Sequence, residues 1–272
     1  MPSITKCFFR ELEKANSAAY EIGKLQLRHF ESNLHVIRKT AKEFVTNVDV
    51  DCQRLSHDLL ADTYPIMSEE LRNPAVTSGG CFWVIDPLDG THNFIAGLPL
   101  FGVSIALVYD SRIVVGVIYL PFFDKLYYAV EGQGAFMNGV KIYVSKNKFI
   151  EKSMITYDNQ FYLNERAFER YQKLTSKTFT TRILGSAIYD FALIASGKID
   201  ARIWNNTKLF DFAAGVLVVQ EAGGRVTDFH GKKIMLDSHE IIASNGLVHN
   251  DLVCLFDENN NGEKGGGICY PK

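Results

Sequence analysis

The sequence predicts an α/β protein built on mixed sheets, and three observations carry that prediction. Two β-rich apolar runs, F-G-V-S-I-A-L-V-Y and I-V-V-G-V-I-Y-L-P, flank the polar turn Asp110-Ser111-Arg112; this is a hairpin, and so at least partly antiparallel sheet. Apolar residues recur at helical spacing from about Thr5 to Phe30, among them Leu12, Ala15, Ala19, Ile22 and Leu25. After a polar run from Ser145 to Lys152, strand and helix signals alternate again.

Length and composition bound the function. At 272 residues the chain can bury a sizeable core, since compact domains hold roughly 50 to 250 residues. With 29 basic against 31 acidic residues there is no electrostatic case for a nucleic-acid polymer or a membrane surface as partner, so any phosphate site must be local. No apolar run approaches the ~20 residues of a membrane span, and the N-terminus lacks an uninterrupted signal-peptide core; the expectation is a soluble, cytoplasmic protein. The five cysteines are odd in number and include no C-x-x-C pair, which argues against a disulfide framework and a zinc site.

In chain order, the amphipathic first helix leads through an irregular basic stretch, 34–46, to T-N-V-D. Here Thr46 or Asn47 caps a second helix running through Leu60. Asp49 and Asp51 fall in its first turn, where carboxylates stabilise the helix dipole. Glu69 and Glu70 follow a short apolar element; adjacent carboxylates repel unless they are exposed or neutralised by a cation.

The stretch C-F-W-V-I-D-P-L-D-G-T-H-N-F, Cys81 to Phe94, carries the most chemistry. Phe82 to Ile85 form a buried-strand signal that is expected to end at Asp86, because Pro87 lacks a backbone donor. Asp86, the Leu88 carbonyl and Asp89 then offer hard oxygens, and Gly90-Thr91 lets the chain turn and present N–H groups. That set suits Mg²⁺, which prefers oxygen ligands and shares its shell with substrate phosphate. D-P-x-D-G is equally ordinary turn chemistry, so the stretch alone leaves both readings open.

Beyond the hairpin, Gly132, Gly134 and Gly139 mark tight turns of a continuing meander. The strand M-I-T-Y follows the polar run, then a helix from about Leu163 to Leu174 and a strand near Thr178 to Ile183. Gly185-Ser186 opens a helix that Gly197 stops. I-D-A-R-I-W reads as a strand, and K-L-F-D-F-A-A-G-V-L-V-V-Q-E-A-G-G as an apolar helix with Asp211 at its N-terminus, the place of an N-cap. Strands at Arg225–Asp228 and Glu240–Ser244 and a helix at Val248–Phe256 complete the core, and a polar, glycine-rich tail runs from about Glu258.

Taken in order, S-E-E, D-P-L-D-G-T-H-N-F and L-F-D-F-A-A-G-V-L-V-V-Q-E-A-G-G resemble the inositol monophosphatase family of Mg²⁺-dependent, lithium-sensitive phosphatases, over roughly residues 5 to 256. T-N-V-D and E-G-Q-G-A-F-M-N-G also look like family segments. The resemblance implies a layered αβαβα sandwich with mixed or antiparallel sheets. A subdomain of residues 1–145 would carry most metal ligands, residues 146–257 would carry Asp211, and 258–272 would be a flexible tail. It implies that Glu69, Asp86 and the Leu88 carbonyl bind a first Mg²⁺, and Asp86, Asp89 and Asp211 a second. Glu69 and Asp49 would help hold a third, with Mn²⁺ as a substitute cation. Asp49 and Thr91 would orient the attacking water, the Gly90 and Thr91 N–H groups would cradle the phosphate, and Asn93, Ser186 and Ala187 would border the leaving alcohol.

The implied activity is hydrolysis of a small sugar or polyol phosphomonoester by metal-activated water, in a homodimer. Fructose-1,6-bisphosphatase, histidinol phosphatase and 3′(2′),5′-bisphosphate nucleotidase are alternatives of the same superfamily; a catalytically silent binding or regulatory protein is the alternative outside it. Two positions depart from the family pattern. Phe210 stands where many members have Trp, and the W-N-N segment at Trp204 to Asn206 stands where they have an inositol-binding Glu. Arg38 lies near a common Lys. His92 reads as a packing or surface residue and not as a catalyst.

Overall fold

The computed structural model describes residues 8–40, 43–69, 80–162 and 165–256. The tail expected from about Glu258, and Glu70, lie outside the described residues. Helix α1 (Phe9–His29) buries Leu12, Ala15, Ala19 and Ile22 along one face, as the spacing predicts. The basic stretch after it forms a small antiparallel pair, β1 (Val36–Arg38) and β2 (Phe44–Thr46). Helix α2 (Asn47–Leu60) opens with a full capping box. The Thr46 hydroxyl accepts from the N–H groups of Val48 and Asp49, and the Asp49 carboxylate accepts the Thr46 N–H.

Seven strands follow in one sheet: β3 (Ile66–Ser68), β4 (Cys81–Asp89), β5 (Gly102–Tyr109), β6 (Arg112–Leu120), β7 (Lys125–Val130), β8 (Ala135–Met137) and β9 (Val140–Lys141). Only β3 and β4 pair parallel; every other neighbour is antiparallel, so the predicted hairpin is the middle of a meander. Between β4 and β5 lies α3 (Thr91–Ile95). A five-stranded mixed sheet, order β11-β10-β12-β14-β13, is built from β10 (Met154–Tyr157), β11 (Thr180–Arg182), β12 (Ala201–Trp204), β13 (Arg225–Thr227) and β14 (Ile241–Ser244). Its helices are α4 (Glu165–Lys177), α5 (Ala187–Ala195), α6 (Leu209–Glu221) and α7 (His249–Phe256).

The layering is the αβαβα sandwich. Helix α1 packs on β5, β6 and β7; α6 touches both sheets; α4 and α7 meet over the outer face of the second. Apolar clusters fill the gaps among the described residues. One packs Ile22, Cys52 and Trp83 under α1 and α2, a central one joins Val84 and Ile118 to Phe191, Phe212 and Ala243, and an outer one holds Tyr157, Phe229 and Leu252. No helix among the described residues is long and apolar enough to cross a membrane.

One strand boundary departs from expectation. Strand β4 does not stop at Asp86 but continues to Asp89, which pairs with Gly102, and the register shifts between Asp86 and Asp89. Pro87 sits in this irregularity, where its missing N–H breaks no ladder bond. Its carbonyl and that of Gly102 accept from the buried Gln26 side chain of α1, at 2.7 and 3.2 Å. The segment is thus satisfied from the opposite layer.

The central helix is seated by two glycines. A Cβ on Gly116 of β6 would meet the Ala214 carbonyl at 2.7 Å, and one on Gly215 would meet the Phe191 ring at 2.2 Å. Both are needed for space, because α6 lies directly on the sheet and on α5. Substituting either by valine is expected to lower stability by about 1–3 kcal/mol through overpacking. The check is the urea midpoint, and an unchanged midpoint for Gly215→Val would contradict this packing.

Candidate active site

Three separate elements bring acidic side chains to one end of the central layer. Asp86 and Asp89 come from the end of β4, Asp49 from the first turn of α2, and Asp211 from the first turn of α6. Glu69 directly follows β3, whose last residue, Ser68, lies beside Ile85 in the parallel register; it is therefore next to Asp86. Unlike the others it is exposed, with the Lys39 ammonium 4.0 Å away.

Each buried carboxylate is held by backbone or hydroxyl donors. Asp86 Oδ1 accepts the Leu88 N–H at 3.1 Å. Asp89 accepts the Ser186 hydroxyl and the N–H groups of Ala187 and Ile188, at 3.2 and 3.3 Å, so it sits on the N-terminus of α5. Asp211 accepts the Lys208 N–H at 2.9 Å and the Thr207 hydroxyl at 3.2 Å. Asp49 accepts from Thr46 through Oδ2, and its Oδ1 lies 2.9 Å from the Thr91 hydroxyl. That hydroxyl is also 3.1 Å from the Leu88 carbonyl; with a single proton it serves one acceptor at a time.

These acids pay electrostatically for their proximity. Asp86 is pushed well above the usual carboxylate range by burial first, then by the charges of Asp89, Glu69 and Asp211. Burial also raises Asp89, against the Ser186, Ala187 and Ile188 hydrogen bonds and the Arg202 guanidinium. Asp211 rises to about 6 through burial and the Asp89 charge, opposed by the Lys208 N–H. Asp49 is raised by burial and pulled back by Thr46 and Thr91.

The donor set fits a hard divalent cation. Clustered carboxylates and a carbonyl are the oxygen ligands Mg²⁺ takes, and their mutual repulsion is what a cation would relieve. Among the described residues, no three His, Cys, Asp or Glu side chains close on a common ion position; Asp49 and Asp211 accept at the starts of their own helices and Asp89 at the start of α5.

Gly90 forms the turn beside them. Its φ of 87° is left-handed, and a Cβ there would lie 2.5 Å from the Leu100 carbonyl, so only glycine fits. Thr91 begins α3. Asn93, expected to border a leaving alcohol, gives its Nδ2 to the carbonyls of Leu100 and Leu184, at 2.9 and 2.8 Å. It ties the α3 turn to the start of α5. Ser186 and Ala187 line the cleft, but their donors are turned onto Asp89. Asp51 lies 3.6 Å from Arg54 on the surface of α2, and His92 is exposed, edge-on to Phe44.

A cleft of about 170 Å³ opens beside Asp89 and Asp211. Its lining also includes Asp158, Gln160, Arg202 and Thr207, which sequence reasoning did not select. A signal was present. D-N-Q and W-N-N are polar runs at the ends of M-I-T-Y and A-R-I-W, and these strands are parallel neighbours. Ligands in α/β sheets bind beyond the carboxyl ends of such strands.

Fold and acid cluster together define a layered α/β protein with a carboxylate-lined cleft. The model of the inositol monophosphatase family matches residues 10–261. A fructose-1,6-bisphosphatase/inositol-1-monophosphatase of Thermotoga maritima is 37% identical over 242 residues, covering 88% of this chain and 92% of that one. Nus factor SuhB of Escherichia coli K12 is 35% identical, covering 87% and 92%. The solved extragenic suppressor protein SuhB of Bartonella henselae superposes with a TM-score of 0.87 at 30% identity, covering 92% and 99%. The chain belongs to the inositol monophosphatase family, whose members are phosphatases that generally use Mg²⁺.

The raised acid predicts a trade of stability for site chemistry. Since folding raises the Asp86 pKa, its ionisation costs the folded state increasing stability as pH rises above about 4, until the folded group itself ionises. In chelator, Asp86→Asn is expected to melt higher than the unsubstituted protein, with an advantage that grows as pH rises from 4 and vanishes below it. Added Mg²⁺ should raise Tm more in the unsubstituted protein. Thermal melts across pH, with and without chelator, measure both.

Proposed function

We propose that the chain is a Mg²⁺-dependent phosphomonoesterase acting on a small sugar or polyol phosphate, with direct attack by water and no phosphoenzyme. The observation that carries this reading is the gathering of Asp86 and Asp89 at the end of β4 with Glu69 after β3 and Asp211 at the start of α6, next to the Asp49–Thr91 hydrogen bond. Phosphomonoester hydrolysis is among the slowest uncatalysed reactions, so a site must cancel negative charge and fix water in line with the leaving oxygen.

Glu69, Asp86 and the Leu88 carbonyl would hold one cation, and Asp86, Asp89 and Asp211 another. Bound Mg²⁺ supplies a lowered pKa for the attacking water and charge stabilisation at the leaving oxygen. Asp49 takes the hydrogen bond of the Thr91 hydroxyl, which leaves the Thr91 oxygen as acceptor for a water proton. When Thr91 faces Asp49, the Leu88 carbonyl is released as a ligand. The Gly90 turn brings backbone N–H groups to the phosphate. Ser186, Ala187 and Ile188 keep Asp89 oriented, so the start of α5 acts through that carboxylate.

A second reading, a regulatory protein that binds without turnover, draws on the similarity to Nus factor SuhB. Phosphate release separates the two. The panel is myo-inositol 1-phosphate, fructose 1,6-bisphosphate, histidinol phosphate and adenosine 3′,5′-bisphosphate, each with Mg²⁺ and with chelator. At least one should be hydrolysed with Mg²⁺ and none with chelator. Asp86→Asn and Asp211→Asn should lower kcat on the order of 100-fold or more while remaining folded. Failure on all four substrates, or unchanged turnover in both variants, would overturn the phosphatase reading.

A further inference from the structure

Helix α7 covers the outer face of the second sheet, and its first residue, His249, is fully buried. Both ring nitrogens are held. Nδ1 lies 2.8 Å from the Ser244 hydroxyl of β14, and Nε2 lies 2.8 Å from the Thr227 hydroxyl of β13. The two strands are antiparallel neighbours, with Thr227 opposite Ile242, so the imidazole joins both strands to the start of the helix.

The hydroxyls decide where the ring proton sits. Thr227 donates its one proton to the Asp228 carbonyl at 2.7 Å, so toward His249 it can only accept, and Nε2 must carry the hydrogen. Nδ1 is then a lone pair that accepts the Ser244 proton, while the Ser244 oxygen takes the Gly246 N–H at 3.0 Å. These donors and acceptors match only while the ring is neutral. A second ring proton would set Nδ1–H against the Ser244 proton; that hydroxyl would have to swing away and leave a buried donor unpaired. It would also put a cation on the first turn of a helix, the positive end of its dipole.

The surrounding charges oppose such a cation or face elsewhere. Arg225, on the same face of β13 as Thr227, adds a like charge and donates to Asn250 of α7 at 2.7 Å. Asp228 turns its carboxylate to the N–H groups of His230 and Lys232, at 2.9 and 2.8 Å, and Asp251 is exposed. Strand β14 carries no titratable side chain, and α4 contributes Leu174 and Tyr171 to the apolar cluster it shares with α7, the Tyr171 hydroxyl lying 3.0 Å from that of Thr181. Burial, and then the Arg225 charge, hold the His249 pKa down to about 3. Since folding lowers this pKa, the stability the neutral ring contributes is complete above about pH 6.5 and is lost progressively as pH falls below it.

We propose that the Thr227–His249–Ser244 clip is an acid-sensitive latch: protonation of the imidazole releases α7 from the second sheet while the rest of the fold stays closed. Besides the clip, this eight-residue helix is held by Asn245 Oδ1, which accepts the Leu247 and Val248 N–H groups, and by Leu252 and Phe256 in the outer cluster. Its release would uncover Phe229, which stacks on Phe256 at 5.5 Å. NMR of the ¹⁵N-labelled full chain reads the ring directly. A neutral imidazole with its hydrogen on Nε2, at about pH 7 and still at about pH 5.5, supports the clip, whereas an Nδ1–H tautomer or an imidazolium at the lower pH overturns it. Amide exchange across 252–256, corrected for the intrinsic chemical rate, reads the latch. From pH 7 to pH 5 the opening constant should rise about 25-fold in the unsubstituted chain and less than about threefold in His249→Gln. An equal rise in the two proteins overturns the proposal, and a rise shared in full by the amides of β5 and β6 overturns a local release. Ser244→Ala is the second variant: with the donor to Nδ1 gone its pH response should be smaller, and an undiminished response counts against the latch.

Discussion

Like-charged carboxylates confined at the junction of two sheets are the constraint around which this chain is arranged. Burial and mutual repulsion both oppose their ionisation, and the fold answers with helix N-termini. Asp49 closes the capping box of α2, Asp89 sits on the first N–H groups of α5, and Asp211 accepts a backbone N–H where α6 begins. A helix start offers unpaired donors and a positive dipole end, so it can hold an acid in place without neutralising it. Asp86 has only the Leu88 N–H and feels its neighbours most strongly. Repulsion within this cluster is of the kind a bound divalent ion would relieve.

Much of this arrangement was legible along the chain because the relevant signals are local. The Thr46–Asp49 spacing marks a capping box, the hairpin around Ser111 marks antiparallel sheet, and Gly90 marks a left-handed turn. A capping role, one alternative for Asp49 and Asp211, is met by both: each accepts the N-cap N–H three residues earlier, and Asp211 also lines the cleft. Pro87 misled because a proline argues against a central strand only when its position must donate; at the register shift it need not.

What the chain did not disclose is long-range. Nothing near Asn93 in sequence indicates that its amide spans the carbonyls of Leu100 and Leu184, nor does anything near Ser186 point to Asp89, ninety-seven positions earlier. Asp158 directly follows β10 and Arg202 lies within β12, and their meaning depends on the pairing of those strands. Side chains like these are recognised once strand neighbours are known. Local pattern reading cannot supply that information.

The seating of α6 has a consequence for how the molecule handles its ligand. The helix contacts the Gly116 backbone on one side and the Phe191 ring on the other, at distances that leave no room for even a methyl group. It therefore acts as a rigid strut between the sheets, with Asp211 at one end. The halves of the cleft cannot swing like jaws about such a strut without unpacking the central core. For the proposed phosphatase, selectivity would then come from a preformed mould, with adjustment left to side chains at its mouth.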